Sequence, residues 1–173
     1  PFLPPDQAGL TAAGVRLIRG ELSAAIGQFD CITMHHSLEH FPDPGAVLAT
    51  AVGMLRPGGH LLVRIPLLQP QIWDQYGAHW AQLDAPRHFH MFAPAGFIAL
   101  ARRNGLDCIA NGTDMLGWSL AWSAAYAHDL PMFAADGSAN PLPCSASELA
   151  AFERQAASFN RDGIGDQGYF VLR

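Results

Sequence analysis

The chain of 173 residues predicts one domain, and with 50% hydrophobic and only 14% charged residues it is typical of a heavily buried globular protein rather than a disordered one. Its net charge is −5, and all ten basic residues are arginines without a basic run, which argues against a nucleic-acid partner and favours small-molecule chemistry. Three distant cysteines, and no apolar run of roughly 18 residues, predict a cytoplasmic protein that does not span a membrane.

The first half of the chain alternates strands and helices. Residues 15–18 predict a short strand closed by Gly20, and the apolar run FDCITMH (29–35) predicts a buried central strand. Residues 47–55 carry apolar side chains at helical spacing, and HLLVRIP (60–66) is the next predicted strand. Strand, helix and strand in this order indicate the crossover unit of a parallel sheet.

The second half begins with an irregular segment rich in Trp, His and Pro. The elements predicted after it are a helix in PAGFIALARRNGL (94–106), a strand in DCIAN (107–111), an apolar helical stretch (118–134), a helix with Ser145 or Ser147 as N-cap, and a last strand in YFVLR (169–173).

A conspicuous polar motif follows the first buried strand. His36-x-x-Glu39-His40 has the spacing of the inverted zinc peptidases, which place both histidines on one helical face and polarise a zinc-bound water with the glutamate. Here the motif is entered from a strand and is followed by Pro42 and Pro44, which leave little room for such a helix. A zinc peptidase is therefore only a remote alternative.

The wider context resembles a known family. The run FDCITMHHSLEHFPDPGAVLATAVGMLRPGGHLLVRIP (29–66) is similar to the second half of a class I S-adenosylmethionine-dependent methyltransferase, in which an F-D strand ends in an L-E-H-x-x-D-P turn and a helix leads to L-x-P-G-G and another strand. WAQLDAPRHFHMFAPAGFIALARRNGL (80–106) resembles the W-x-x-L-D-x-P-R-H-x-x-x-F-x-P run of many such enzymes. The resemblance covers residues 14–112, and the ubiquinone-pathway O-methyltransferases are among the enzymes that this part of the chain resembles.

This resemblance implies an α/β fold, a Rossmann-like methyltransferase sheet with helices on both faces. The predicted strands then correspond to the third to sixth of that sheet, and YFVLR to its antiparallel last strand. Residues 1–173 would form a single partial domain, with the family core at 14–112, a variable helical insertion at 113–165 and the last strand at 166–173. The first two strands, which carry the glycine-rich cofactor loop and a ribose-binding acid, have no counterpart in the sequence.

The resemblance also implies S-adenosylmethionine as the cofactor. In the family, the loop after the third strand contacts the adenine and the end of the fourth strand lies beside the methionine part. The residues at these two places are Gly20, Glu21 and Leu22 for the loop, and Met34, His35 and His36 for the strand end. The alternatives are that Glu21 is a solvated loop acid and His35 a packed strand-end residue.

Some relatives carry E-x-x-E-H after the same strand, plus a later histidine, and hold a divalent cation with them. The resemblance therefore implies a site for Mg²⁺, Mn²⁺ or Zn²⁺ at His36, Glu39, His40 and His88, with His90 as the alternative to His88. His36 replaces a carboxylate, which makes the set softer. His40 and His88 are also the expected catalytic bases toward an acceptor hydroxyl. The alternative is that these side chains only fix their loops.

The missing glycine-rich loop limits what is expected of the chain itself. We expect it to bind S-adenosylmethionine poorly or not at all when alone, so methyl transfer to a small-molecule acceptor, on oxygen, is predicted for the parent protein. A non-catalytic remnant of the same fold is the alternative. A homodimer is compatible with the sequence.

Overall fold

The computed structural model describes Leu22 and residues 27–173, which form a four-stranded mixed sheet with helices. The strand predicted at residues 15–18 lies outside the described residues. The strands are β1 (Phe29–His35), β2 (Leu55–Pro66), β3 (Cys108–Thr113) and β4 (Gln167–Leu172). The α-helices are α1 (Pro44–Met54), α2 (Pro70–Tyr76), α3 (Pro94–Arg103), α4 (Gly117–Tyr126) and α5 (Ala146–Arg161).

The crossover unit predicted from the sequence is confirmed, because β1 and β2 pair in parallel and α1 connects them. Helix α1 begins where the Asp43 carboxylate accepts a hydrogen bond from the backbone N–H of Ala46 (2.9 Å) and Pro44 occupies the first turn. This connection places the ends of β1 and β2 at the same edge of the sheet.

Strand β2 starts at Leu55, earlier than predicted, and its pairing with β1 shifts register in the stretch that contains Pro57-Gly58-Gly59. A Cβ on Gly59 would come within 3.0–3.1 Å of three backbone carbonyl oxygens of the two paired strands. Glycine at this position therefore lets the chain pass close to β1 without steric conflict.

In the described residues the sheet has the order β1-β2-β4-β3, so β1 is an edge strand there, and Met34 is its one buried residue; the buried central position predicted for this strand is not found. Strand β4 is antiparallel to both of its neighbours, which confirms the predicted antiparallel last strand. Since β4 runs opposite to β2, its amino end lies at the edge where β1 and β2 end. Residues just before β4 are thus brought to the edge that carries the histidine motif.

Two hydrophobic clusters support this arrangement. The main cluster lies between the sheet and helices α1 and α3, and its fully buried members include Leu48, Ile65, Phe97 and Phe170. The second cluster joins α4, α5 and the segment after β2, with Ile72, Trp80, Met115, Leu120 and Ala156 at its centre. The second cluster anchors the irregular segment on which one of the predicted site histidines is carried.

The apolar helical stretch is shorter than the 118–134 predicted from the sequence. Helix α4 ends at Tyr126 because Asp129 adopts a left-handed conformation (φ 57°) and Pro131 follows, which cannot continue a helix. Helix α5 has Ser145 as its N-cap, in a capping box with Glu148. No helix in residues 27–173 combines the length and hydrophobicity that a bilayer crossing requires.

Candidate active site

The motif that follows β1 does not form the helix that a zinc peptidase needs. His36 has a left-handed backbone (φ 44°), and only Leu38–His40 forms a single 3-10 turn. Pro42 lies immediately beyond that turn. His36 and His40 are therefore not presented from one α-helical face, and the geometry gives the peptidase hypothesis no support.

Glu39 is the most unusual residue of this turn. Its side chain is fully buried, and neither carboxylate oxygen has a hydrogen-bond partner among the described residues. Three imidazole nitrogens surround Oε1, namely His36 Nδ1 at 3.5 Å, His40 Nε2 at 4.0 Å and His88 Nε2 at 4.0 Å. A buried carboxylate without a hydrogen bond is costly, so either the protonated form of one of these imidazoles or a bound cation would stabilise it.

Hydrogen bonds to backbone carbonyls determine which nitrogen of the His40 and His88 rings faces Glu39. His40 Nδ1 lies 3.0 Å from the Arg87 carbonyl oxygen, and His88 Nδ1 lies 2.9 Å from the Gln82 carbonyl oxygen. A carbonyl can only accept, so each Nδ1 donates its N–H, and in the neutral form of each ring Nε2 carries the lone pair. Metal-binding histidines are commonly held in this way by a backbone carbonyl.

Glu39, His40 and His88 thus form a group whose ligand atoms all lie within 4.8 Å of one another. The rings of His40 and His88 meet edge to face, with their centroids 4.7 Å apart. His36 lies beside Glu39 but is not a member of this group. Three of the four residues predicted as metal ligands are therefore brought together, and the fourth is adjacent.

Local structure selects His88 rather than His90 for this group. Asp84 has a left-handed backbone (φ 41°), and the backbone N–H of Phe89 donates to the Glu39 carbonyl oxygen (2.8 Å), which draws the segment against the turn. His90 instead points its Nε2 at the Pro42 carbonyl oxygen (3.0 Å). The sequence left both histidines open, and the backbone path decides between them.

Asp84 adds negative charge beside His88. One of its oxygens pairs with Arg87 (2.6 Å), and the other lies 3.6 Å from His88 Nε2. Burial nevertheless lowers the pKa of His88 below its ordinary value, against the opposing effect of the Gln82 carbonyl and the nearby acids. His88 is accordingly neutral at physiological pH, which is the form that binds a metal or accepts a proton.

The residues predicted to bind the cofactor are not all gathered at one place. Gly20 and Glu21 lie outside the described residues. Leu22 lines a small apolar groove with Phe29 and other residues at the amino end of β1, which is the opposite end from His35 and His36. The structure therefore does not bring Leu22 together with the strand-end residues.

Of the strand-end residues, the Met34 side chain is buried in the main cluster, the His35 side chain is exposed, and His36 is half-buried. The backbone N–H of His36 donates to the Arg64 carbonyl oxygen of β2 (2.9 Å). His35 and His36 are thus the members of the predicted set that present side chains at the edge where β1 ends.

One acidic residue at this edge had no signal in the sequence. Asp166 precedes β4, is fully buried, and accepts hydrogen bonds from Trp80 Nε1 (2.8 Å) and Ser119 Oγ (2.5 Å). Burial raises its pKa above the ordinary value, although both donors oppose that shift. A single aspartate between a loop and a strand matches no motif, and its partners are distant in sequence.

An apolar groove lies next to the segment that carries His88. It has a volume of about 590 Å³ and is lined mainly by Leu68, Trp73, Leu83, Met91 and Pro94. Leu83 and Met91 flank His88 in the chain, so the same segment contributes to the groove and to the polar group.

Comparison with known proteins bears on what this arrangement does. Residues 6–111 match the model of a methyltransferase domain family. The ubiquinone biosynthesis O-methyltransferase of Methylococcus capsulatus is 34% identical over 109 residues, which cover 58% of this chain and 46% of that enzyme. The enzyme of the same name from Marinobacter nauticus is 49% identical over 37 residues, covering 21% of this chain and 16% of its own length.

Solved structures share the fold at low sequence identity. The chain superposes on the mitomycin 7-O-methyltransferase with a TM-score of 0.55 at 14% identity, covering 96% of this chain and 37% of that one. It superposes on the Burkholderia thailandensis 1,6-didemethyltoxoflavin-N1-methyltransferase, solved with S-adenosylhomocysteine, with a TM-score of 0.54 at 15% identity, covering 99% and 57%. The chain spans less than half the length of the curated relatives named above.

Proposed function

Because this chain belongs to the methyltransferase domain family whose model it matches over residues 6–111, we propose that the intact protein transfers a methyl group from S-adenosylmethionine to an oxygen atom of a small-molecule acceptor. Two curated relatives are named as O-methyltransferases, which supports oxygen as the acceptor atom. When bound, S-adenosylmethionine would supply the methyl group from its sulfonium.

The position of the polar group supports this proposal. In open α/β sheets, ligands bind outside the carboxyl ends of parallel strands. Glu39 and the histidines follow β1, and His88 is carried on the segment that follows β2 and α2. His35 and His36 lie at the same edge and would face the cofactor, while the apolar groove would receive the body of the acceptor.

We further propose that Glu39, His40 and His88 hold a divalent cation. The observation that carries this proposal is the buried Glu39 carboxylate without a hydrogen-bond partner in the described residues, faced by two Nε2 lone pairs at 4.0 Å. When bound there, a divalent cation would polarise the acceptor hydroxyl and lower its pKa, which makes the oxygen a better nucleophile.

The donor set decides which cation fits. One carboxylate and two neutral imidazoles form a softer set than the oxygen ligands that Mg²⁺ prefers, so Mn²⁺ or Zn²⁺ is the better match. The Nδ1 hydrogen bonds to backbone carbonyls already orient both rings, so little reorganisation is required. Asp84, at 3.6 Å from His88 Nε2, adds a further negative charge near the site.

The competing role for the same histidines is that of a general base. The Nε2 lone pair of His40, whose side chain is 40% exposed, could accept the proton of an acceptor hydroxyl without any metal. His88 is less accessible, with a side chain only 6% exposed. A lone pair cannot bind a cation and accept a proton at the same time, so the two roles give different responses to chelation.

The test is a methyl-transfer assay on the intact protein. Formation of S-adenosylhomocysteine would be measured with a panel of hydroxylated small-molecule acceptors, with and without chelator and with Mn²⁺ added back, for the wild type, Glu39→Gln and the control His90→Gln. We expect chelation and Glu39→Gln each to abolish most of the activity and His90→Gln to retain it. Full activity after exhaustive chelation would overturn the cation proposal, and no transfer to any acceptor would overturn the methyltransferase proposal.

A cytoplasmic location is part of the same proposal. All three cysteines, Cys31, Cys108 and Cys144, lie in the described part of the chain, and none forms a disulfide. Free thiols are typical of proteins in a reducing compartment.

A further inference from the structure

Hydrogen bonds at both ends of the Trp80–Gln82 backbone connect Asp166 to the candidate cation site. The connection starts at the amino end of β4, where the Asp166 carbonyl oxygen accepts from the backbone N–H of Leu67 (2.8 Å) and fixes the aspartate to the end of β2. Its carboxylate Oδ2 accepts from Trp80 Nε1 and from Ser119 Oγ. Trp80 and Ser119 are each only 1% exposed, so this contact is closed to solvent.

Helix α4 holds the same stretch of chain by a second contact. Ser123 Oγ accepts from the backbone N–H of Ala81 (2.9 Å) and donates to the Ser119 carbonyl oxygen (2.7 Å). Ser119 and Ser123 are four residues apart, so they lie on one face of the helix. The backbone at Trp80 and Ala81 is therefore held by the Asp166 carboxylate through the indole and by Ser123 directly.

The next residue of this stretch reaches the site itself. The Gln82 carbonyl oxygen accepts the Nδ1–H of His88, and this bond determines which ring nitrogen of His88 carries the proton. Gln82 is only 7% exposed and follows Ala81 directly, within the 3-10 turn Ala81–Leu83. Any movement of the Trp80–Ala81 backbone would move the carbonyl on which the ring orientation depends.

We propose that Asp166 and Ser123 are positioning residues for His88, acting by clamping the Trp80–Gln82 backbone so that the Gln82 carbonyl keeps the His88 Nε2 lone pair directed at Glu39. Neither residue contacts the candidate ligand atoms, so their effect is indirect. The inference rests on the proposed function only for the identity of the ligand at Nε2, since the tautomer and orientation of His88 are properties of the protein alone.

The carboxylate is well suited to this task. The Asp166 side chain joins two parts of the chain, because its Oδ2 accepts both from the indole N–H of Trp80 and from the Ser119 hydroxyl of α4. Removal of the carboxylate partner would leave a buried indole N–H unpaired, which the structure would relieve by shifting the loop. Helix α4, which carries Ser119 and Ser123, thus acts on the site from outside it.

The experiment uses two variants and one matched control in the intact protein. Trp80→Phe removes the indole N–H and keeps an aromatic ring, and Ser123→Ala removes the acceptor of the Ala81 N–H. Thr113→Val removes a comparable half-buried hydrogen bond, from Thr113 Oγ1 to the Asn160 carbonyl oxygen (3.3 Å), which is not part of the connection to His88.

The first measurement is the tautomer of His88 in metal-free protein, by nitrogen-15 NMR of labelled histidine at about pH 8, where an ordinary imidazole is neutral. The His88 signal is assigned by its loss in His88→Gln. The wild type and Thr113→Val should show a single Nδ1-protonated tautomer, whereas Trp80→Phe and Ser123→Ala should show a mixture. The second measurement is Mn²⁺ affinity, which we expect to fall about tenfold in both variants and not in the control.

An unchanged tautomer in Trp80→Phe and Ser123→Ala, both folded, would overturn the proposal. If Trp80→Phe does not fold, the tautomer in Ser123→Ala decides. A wild type that binds no Mn²⁺ contradicts the cation proposal alone, because the tautomer measurement requires no metal. If the effects of Trp80→Phe and Ser123→Ala on Mn²⁺ affinity are not additive in the double variant, the two contacts act through one shared clamp.

Discussion

Replacing Glu39 by glutamine should change stability in opposite directions with and without a cation. The Glu39 carboxylate is fully buried, and neither of its oxygens has a hydrogen-bond partner in the part of the chain that the structure describes. A buried carboxylate without a hydrogen bond costs more than a buried uncharged amide, whose own unmet hydrogen bonds cost about 1–3 kcal/mol. In a chelating buffer, Glu39→Gln should therefore be more stable than the wild type, by about 1 kcal/mol or more.

A bound cation should reverse this order. A ligand at a hundredfold excess over its Kd stabilises the folded state by about 2.7 kcal/mol. The wild type should gain that amount in Mn²⁺, whereas the variant, which lacks the anionic ligand, should gain little. The expected reversal leaves the wild type more stable by about 1–2 kcal/mol.

The assay is urea unfolding of the intact protein in chelator and in Mn²⁺. His90→Gln is the matched control, because His90 contacts the Pro42 carbonyl and not the Glu39 group, so it should show the same Mn²⁺-dependent gain as the wild type. If Glu39→Gln is destabilising by the same amount in both buffers, Glu39 has a packing role and the reasoning from its unpaired oxygens is wrong.

Further predictions concern pH and packing. The pKa of His88 is lowered in the folded state, so the unfolded state binds a proton first as the pH falls below 6.5. The free energy of unfolding should therefore decrease in that range. In a pH series of urea titrations, His88→Gln should flatten this slope. The pKa of Asp166 is raised in the folded state, so its contribution to stability is present below pH 3.8 and is lost as the pH rises through the folded pKa. Asp166→Asn should remove this loss of stability. An unchanged pH profile in Asp166→Asn would contradict the raised pKa of Asp166. Gly59→Ala should destabilise the protein by about 1–3 kcal/mol, because the added Cβ meets three backbone oxygens. Gly53→Ala, where α1 leaves open space for a Cβ, should stabilise it by about 0.5–1 kcal/mol. Equal midpoint temperatures of thermal unfolding for the two variants would refute the packing argument.

The sequence predicted the elements that are built from local patterns. The apolar run 29–35 has the bounds of β1, and the helical spacing of residues 47–55 lies within α1 except at its last residue, Leu55, where β2 begins. In both cases the signal is a hydrophobic period bounded by polar residues, proline or glycine, and it is contained in about ten neighbouring residues. Pairing of β1 with β2 follows from the crossover connection.

The site was only partly predictable, because its geometry depends on contacts between distant residues. Glu39 and His40 were found through their motif, but the choice of His88 over His90 depends on the left-handed Asp84 and on the Phe89 contact to Glu39. The hydrogen bond between Asp166 and Trp80 joins residues 86 positions apart, and a contact of this kind leaves no periodic pattern in the sequence. The end of α4 was missed because its apolar composition continues past the residue where the backbone turns.

The cation site is the central claim, and anomalous X-ray diffraction from Mn²⁺-soaked crystals of the intact protein tests it most directly. We expect a peak at the manganese edge within about 2.5 Å of a Glu39 oxygen and of Nε2 of His40 and His88, and no such peak in Glu39→Gln. Saturating Mn²⁺ that leaves this position empty in the wild type, or that binds only at surface carboxylates, would contradict the account.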